Sequence, residues 1–232
     1  YEVRLSLVGS EMCIRDSRWA GRAAPALRLC APCAAQARRL RPPPASAAGL
    51  DVALAALPYA PPWSGWVVQL KFAGAVGLAR AMAAHCGSVL QDAAVQADLV
   101  VPVPLSLARL RSRGYNQAWL LARPIARALG LPARGDLLIR RRDTRAQTEL
   151  GLLERQANLA GAFEVPPPQR GQVKGRRILL VDDVQTTGAT LAAAAAALRS
   201  AGAASVVGCS FARTHGPLDE PSGRPGHPLL AC

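Results

Sequence analysis

Asp182, Asp183, Thr186, Thr187 and Thr190 lie within one short segment, with Gly188 and Ala189 among them. Adjacent carboxylates supply acceptors for a pair of vicinal hydroxyls, or bias a site toward a hard divalent cation. Threonine hydroxyls and successive backbone N–H groups at the opening of a helix make an anion site sized for one phosphate. A diol reader beside a monophosphate cradle describes a ribose 5-phosphate. The bland alternative is a strand-to-helix turn in which Asp and Thr only cap.

Regular elements must hold these groups in place. Ile178 to Val181 is a run of four apolar β-formers ahead of the acids, the pattern of a strand buried on both faces. Beyond the threonines a helix is expected from about Ala189 to Ala201, with Gly202 as its stop, and Ser205 to Phe211 as the next strand. Strand, helix and strand in so few residues predict a right-handed βαβ unit with parallel strands. In an open parallel sheet the ligand crevice lies beyond the carboxyl ends of the strands, where the two acids stand. Alternation along the strand sends their side chains to different sides of it.

Upstream, Leu50 to Leu57 is a short apolar segment, followed by a turn at Tyr59-Ala-Pro-Pro. Ser64 is expected to cap a helix whose apolar face is Trp66, Leu70, Val76, Leu78 and Met82, weakened locally by Gly74 and Gly77. Lys71, on that helix, reads from its own position as a solvated charge. Asp98 to Val103 reads as a strand ended by Pro102-Val-Pro104, leading into a basic loop with Arg109, Arg111 and Arg113. Asn116 caps a helix to Leu129, with a kink expected at Pro124 and a stop at Gly130. Leu137 to Ile139 is a further strand candidate, Glu149 to Asn158 a short helix, and Pro166 to Pro168 with Gly171 to Arg177 a linker or β-turn excursion.

The net charge of +13 invites a polyphosphate or nucleic-acid partner. Only Lys71 and Lys174 are lysines, and Ala, Pro and Gly abound, so part of the excess reflects the composition that a GC-rich genome imposes. Its concentration is more telling: Arg109 to Arg155 holds eleven arginines against Asp136, Asp143, Glu149 and Glu154. No stretch reads as a membrane span, since the longest apolar one, Thr190 to Phe211, is mostly small residues broken by Arg199 and Ser200. Six scattered cysteines do not form a disulfide framework, so a soluble chain in a reducing, cytoplasmic setting is expected.

Tyr1 to Ser17 contains neither Ala nor Pro and does not match the rest of the chain. Leu5 to Ser17 resembles translated sequencing-adapter read-through, and the segment is expected to be non-native. Cys30-Ala-Pro-Cys33 is half of a zinc knuckle, because tetrahedral zinc commonly takes two such pairs. A second pair is missing, with His85, Cys86 and Cys209 falling inside core elements. Zn²⁺ at Cys30 and Cys33 would therefore be an incomplete site.

Ile178 to Thr190 resembles the phosphoribosyl-pyrophosphate (PRPP) signature of type I phosphoribosyltransferases: four hydrophobics, two acids, then Thr-Thr-Gly-x-Thr. Around it, Tyr59, Leu70-Lys71-Phe72-Ala-Gly74, Val101-Pro102-Val103-Pro104, Arg113-Gly114-Tyr115-Asn116-Gln117, Arg142-x-Thr144-x-x-Gln147, Arg155-x-x-Asn158 and Gly161-Ala-Phe163 stand in an order similar to the competence protein F (ComF) family. The likeness covers about Leu29 to Thr214.

It implies an α/β fold with a type I phosphoribosyltransferase-like parallel sheet flanked by helices, and a truncated N-terminal zinc-knuckle remnant. By the same resemblance Asp182 and Asp183 hold the ribose hydroxyls as the catalytic pair, and Thr186, Thr187, Gly188, Ala189 and Thr190 hold the 5-phosphate. Pro104, Leu105 and Arg113 would contact the pyrophosphate of PRPP with its Mg²⁺, under a mobile basic loop placed at Arg109 to Gln117. Lys71, Tyr115, Asn116, Gln117, Arg142, Thr144 and Gln147 become candidates for substrate or nucleic-acid contact. The implied activity is phosphoribosyl transfer to an acceptor that the residues do not name, linked to DNA uptake in natural competence. The alternatives are a non-catalytic module that binds single-stranded DNA with a competence helicase, or a PRPP sensor. The expected division is 1–17 non-native, 18–48 knuckle remnant and linker, 49–214 phosphoribosyltransferase-like domain, and 215–232 flexible tail.

Overall fold

The computed structural model describes Pro42, Pro44, Ala45 and residues 49–141 and 161–214. Four parallel strands form one sheet: β1 (Val52–Pro58), β2 (Leu99–Pro102), β5 (Arg177–Gln185) and β6 (Ser205–Arg213), in the order β1-β6-β5-β2. The strand that carries the acids is therefore interior, paired to β2 from Leu99↔Ile178 to Pro102↔Val181 and to β6 from Arg177↔Ser205 to Gln185↔Arg213. Its alternation sends Leu179 and Val181 into one apolar cluster and Ile178 and Leu180 into another on the opposite face. Burial on both faces is why the run reads as continuously apolar.

Helices α1 (Trp63–Phe72), α2 (Leu78–Asp92) and α4 (Gln117–Leu129) supply the first cluster. The second is built from α6 (Ala189–Ser200) with Leu137, Leu138, Phe163 and Val165 around the two-residue antiparallel strands β3 (Ile139–Arg140) and β4 (Phe163–Glu164). Asp98 and Arg177 clamp the N-terminal ends of β2 and β5 at 2.7 Å, and the guanidinium beside Asp98 lowers its carboxyl to about 2. Arg177 is exposed and Asp98 only partly buried, so the pair fixes register more than it adds stability.

Several local expectations are corrected. Ser64 does not cap α1: the cap position is Pro62, two residues earlier, and the Ser64 N–H donates to Ala60 O at 3.0 Å. The expected single helix is two, because Gly74 takes φ +67 beyond the end of α1, leaving Val76 half exposed in the connection. The basic loop contains a helix, α3 (Leu107–Arg113), capped by Ser106, whose Oγ accepts from Arg109 N at 3.4 Å, and stopped by Gly114 at φ +81. The strand expected at Leu137 shifts to Ile139–Arg140 because Leu137 and Leu138 turn into the core. The expected linker holds a 3₁₀ turn (Pro167–Gln169) and α5 (Arg170–Val173), pinned by buried Val173. Asn116 and Gly130 bound α4 as expected, and the helix runs on through Pro124.

Cys30 and Cys33, Arg142, Thr144 and Gln147, the helix expected at Glu149 to Asn158, and segments 1–17 and 215–232 lie outside the described residues. Among the described residues no helix is long and apolar enough to cross a membrane.

Candidate functional site

The end of β5 delivers its polar residues in quick succession. Asp182 and Asp183 are both buried, and the Asp183 N–H donates to Asp182 Oδ1 at 2.8 Å. Burial pushes the Asp182 carboxyl well above the ordinary range, and the neighbouring Asp183 charge adds to it, while Lys71 and that N–H pull the other way. Lys71 Nζ stands 2.7 Å from Asp183 Oδ2. The lysine whose own position reads as solvated is thus the cation of the acid pair, contributed by a helix more than a hundred residues upstream.

Beyond Gln185 the chain turns through exposed Thr186 and Thr187 into Gly188, which adopts φ +77 and serves as the N-cap position of α6. The Ala189 N–H points to Thr187 Oγ1 at 3.4 Å, and Gly188 O accepts from Ala192 N at 2.9 Å, so the helix starts with its first N–H groups directed at the turn. Lys71, Asp182, Gln185, Thr186, Gly188 and Thr190 line one cavity of about 110 Å³. Its polar lining and the helix N-terminus suit an anion with hydroxyls beside it.

The neighbouring loop starts from the paired strand. The Val103 N–H donates to Val181 O at 2.8 Å, so Pro104 and Leu105 leave the sheet next to the acids. Asn116 secures that loop with one amide: Nδ2 donates to Val103 O at 3.0 Å and Oδ1 accepts from Ala118 N at 2.9 Å as the cap of α4. Tyr115 donates its hydroxyl to Leu70 O, and Arg113 lies 5.5 Å from the Phe72 ring while Nη1 donates to Gln117 Oε1 at 2.5 Å. The two motifs Leu70-Lys71-Phe72 and Arg113 to Gln117 therefore meet, and their contacts fix the end of α1 from which Lys71 reaches the acids.

Not every candidate converges. Pro104, Leu105 and Asn116 line a separate, mainly apolar cavity of about 510 Å³ with Trp119, Leu138 and Ile139. Buried Arg213, in register with Gln185 at the end of β6, is a polar residue that sequence reasoning passed over. No three His, Cys, Asp or Glu side chains gather into a metal-binding group among the described residues.

The burial of Asp182 bears on stability. A carboxyl whose folded pKa lies above its unfolded value contributes most stability at pH below the unfolded value and loses it as pH rises through the folded one. Ionised Asp182 therefore costs stability at neutral pH. Asp182→Asn is expected to raise the melting temperature of the ligand-free protein near pH 7, with the gain shrinking toward pH 3. Thermal melts at both pH values check this, and an equal or lower melting temperature at pH 7 would refute it.

The family model described as phosphoribosyl transferase domain matches residues 116–224. A DNA utilization protein YhgH of Escherichia coli is 37% identical over 161 residues, covering 67% of this chain and 69% of the relative. A competence protein F of Haemophilus influenzae is 34% identical over 149 residues, covering 62% of this chain and 65% of the relative. A ribose-phosphate pyrophosphokinase of Granulibacter bethesdensis is 31% identical over 134 residues, covering 58% of this chain and 40% of that protein. With a parallel sheet flanked by helices, one relative alike over two thirds of its length and a competence protein F alike over 62% of it, the chain belongs to the competence protein F (ComF) family of phosphoribosyltransferase-fold proteins.

Proposed function

We propose that the protein binds PRPP, with Asp182 and Asp183 accepting from the ribose 2- and 3-hydroxyls and Thr186 to Thr190 cradling the 5-phosphate. The observation that carries this reading is the single cavity shared by Lys71, Asp182, Gln185, Thr186, Gly188 and Thr190 at the C-terminal end of an interior parallel strand. Loop 102–105, leaving β2 beside the acids, is the candidate pyrophosphate contact. Mg²⁺ would enter as part of the substrate: one of the two carboxylates already has a lysine partner, so the donor set fits an ion held mainly by the diphosphate.

Phosphoribosyl transfer is the chemistry this arrangement suits. Attack at the anomeric carbon expels Mg-pyrophosphate through an oxocarbenium-like centre, and buried carboxylates beside the ribose stabilise positive charge developing there. The family name, and the name DNA utilization protein carried by relatives, support a role in handling incoming DNA. Exposed Arg109 and Arg111 on α3 are the candidate contacts for single-stranded DNA in a non-catalytic version of that role.

Calorimetric titration of PRPP with Mg²⁺ tests the binding claim. The wild type is expected to bind, Asp183→Asn to lose at least ~10-fold in affinity, and Thr187→Ala to lose a smaller factor, since each forfeits one charged or neutral hydrogen bond. Equal binding by all three would remove the site assignment. Pyrophosphate release in the presence of a pool of nucleobases and amines separates an enzyme from a PRPP sensor.

A further inference from the structure

Lys71 is held in place more firmly than a surface lysine. The carbonyl before it accepts from Tyr115, and the ring after it lies beside the Arg113 guanidinium. Its side chain is 23% exposed, against 4% for the Asp183 carboxylate it meets at 2.7 Å. Adjacent carboxyls at a buried strand end carry like charge when ionised, and an ammonium 2.7 Å from one of them offsets the repulsion while the site is empty. A ribose hydroxyl that donates to Asp183 Oδ2 must share or take over the oxygen that Lys71 holds. Once released, the ammonium needs acceptors, and an incoming diphosphate brings a surplus of them. A flexible stem with a compact charge suits such an exchange; a planar guanidinium does not.

We propose that Lys71 is a displaceable counter-ion: it neutralises Asp183 in the ligand-free site, keeps divalent cations off the carboxylate pair, and passes to the diphosphate oxygens of entering PRPP as a ribose hydroxyl takes its place. The exchange rests on the PRPP reading above, whereas the counter-ion role in the empty site does not.

The first arm of the test uses Mn²⁺ alone, tracked by the electron paramagnetic resonance signal of the free ion. Lys71→Met is expected to bind Mn²⁺ at least ~10-fold more tightly than the wild type, because a charge is removed from beside the acids. The double variant Lys71→Met/Asp183→Asn should lose that gain. The second arm titrates PRPP with Mg²⁺: Lys71→Met should weaken binding at least ~10-fold, with Lys71→Arg in between. Should Lys71→Met fail to fold, Lys71→Gln, which removes the same charge and keeps a polar end, carries both arms with the same expected directions.

Unchanged Mn²⁺ affinity overturns the counter-ion role. Equal PRPP affinity in Lys71→Met and wild type overturns the exchange. A wild type that binds no PRPP overturns the ribose-phosphate reading and the exchange together, while the Mn²⁺ arm still decides the counter-ion role.

Discussion

Gly188→Val should abolish PRPP binding while leaving every charged group of the site in place. Gly188 adopts φ +77 between the exposed threonines and the first turn of α6. A β-branched residue held there carries strain of about 1–3 kcal/mol. The strain is relieved by rotating the turn to negative φ, and that rotation swings the N–H groups of the cradle away from a common centre. Losing two or more hydrogen bonds to a charged phosphate, each worth about 1.5–3 kcal/mol, corresponds to at least ~100-fold in affinity. Gly188→Ala should fall between Val and the wild type. Titration of PRPP against the three proteins measures this directly, and retention of affinity within about 3-fold by Gly188→Val would show that the phosphate does not sit on this turn.

The second large effect concerns the scaffold. Phe211 on β6 is fully buried, stacked on Trp66 with ring centroids 6.1 Å apart and tilted against His85 at 6.3 Å. It stands where the sheet meets α1 and α2, in a cluster that also contains Trp63 and Leu70. Phe211→Ala is expected to cost about 3–5 kcal/mol through lost transfer energy and an unfilled cavity. Against a typical domain stability of about 5–15 kcal/mol this is a large fraction. Urea unfolding should show a lower midpoint at unchanged slope. A midpoint within error of the wild type would mean that the aromatic cluster is not the keystone its burial indicates. With Gly188→Val the pair separates the ligand cradle from the core that supports it.

Legibility in the sequence depends on how far apart the cooperating residues lie along the chain. The strand, the acids, the threonine turn and α6 are contiguous, and each step uses a local rule: an apolar run, a left-handed glycine, a helix that starts behind it. Asn116 and Gly130 likewise announce the two ends of α4 through residues that cap in place. Lys71 has no such local mark. Its partner Asp183 lies in another element, and only the packing of α1 against the sheet, with Tyr115 and Arg113 at its end, turns a helix-face charge into a site residue. The capped helix α3 has both of its signals in plain view, Ser106 and Gly114, but its arginines outweigh them in a reading by charge. Gly74 reads as a weak point in one helix, whereas a positive φ makes it the boundary of two.

The last described link of the chain has a practical bearing. The Thr214 N–H donates to Gln185 O at 3.0 Å, which ties the residue after β6 to the strand end that leads into the threonine turn. Thr214 is therefore anchored beside the candidate site. A fluorophore attached at a Thr214→Cys substitution is expected to respond to PRPP at close range if the site lies where proposed.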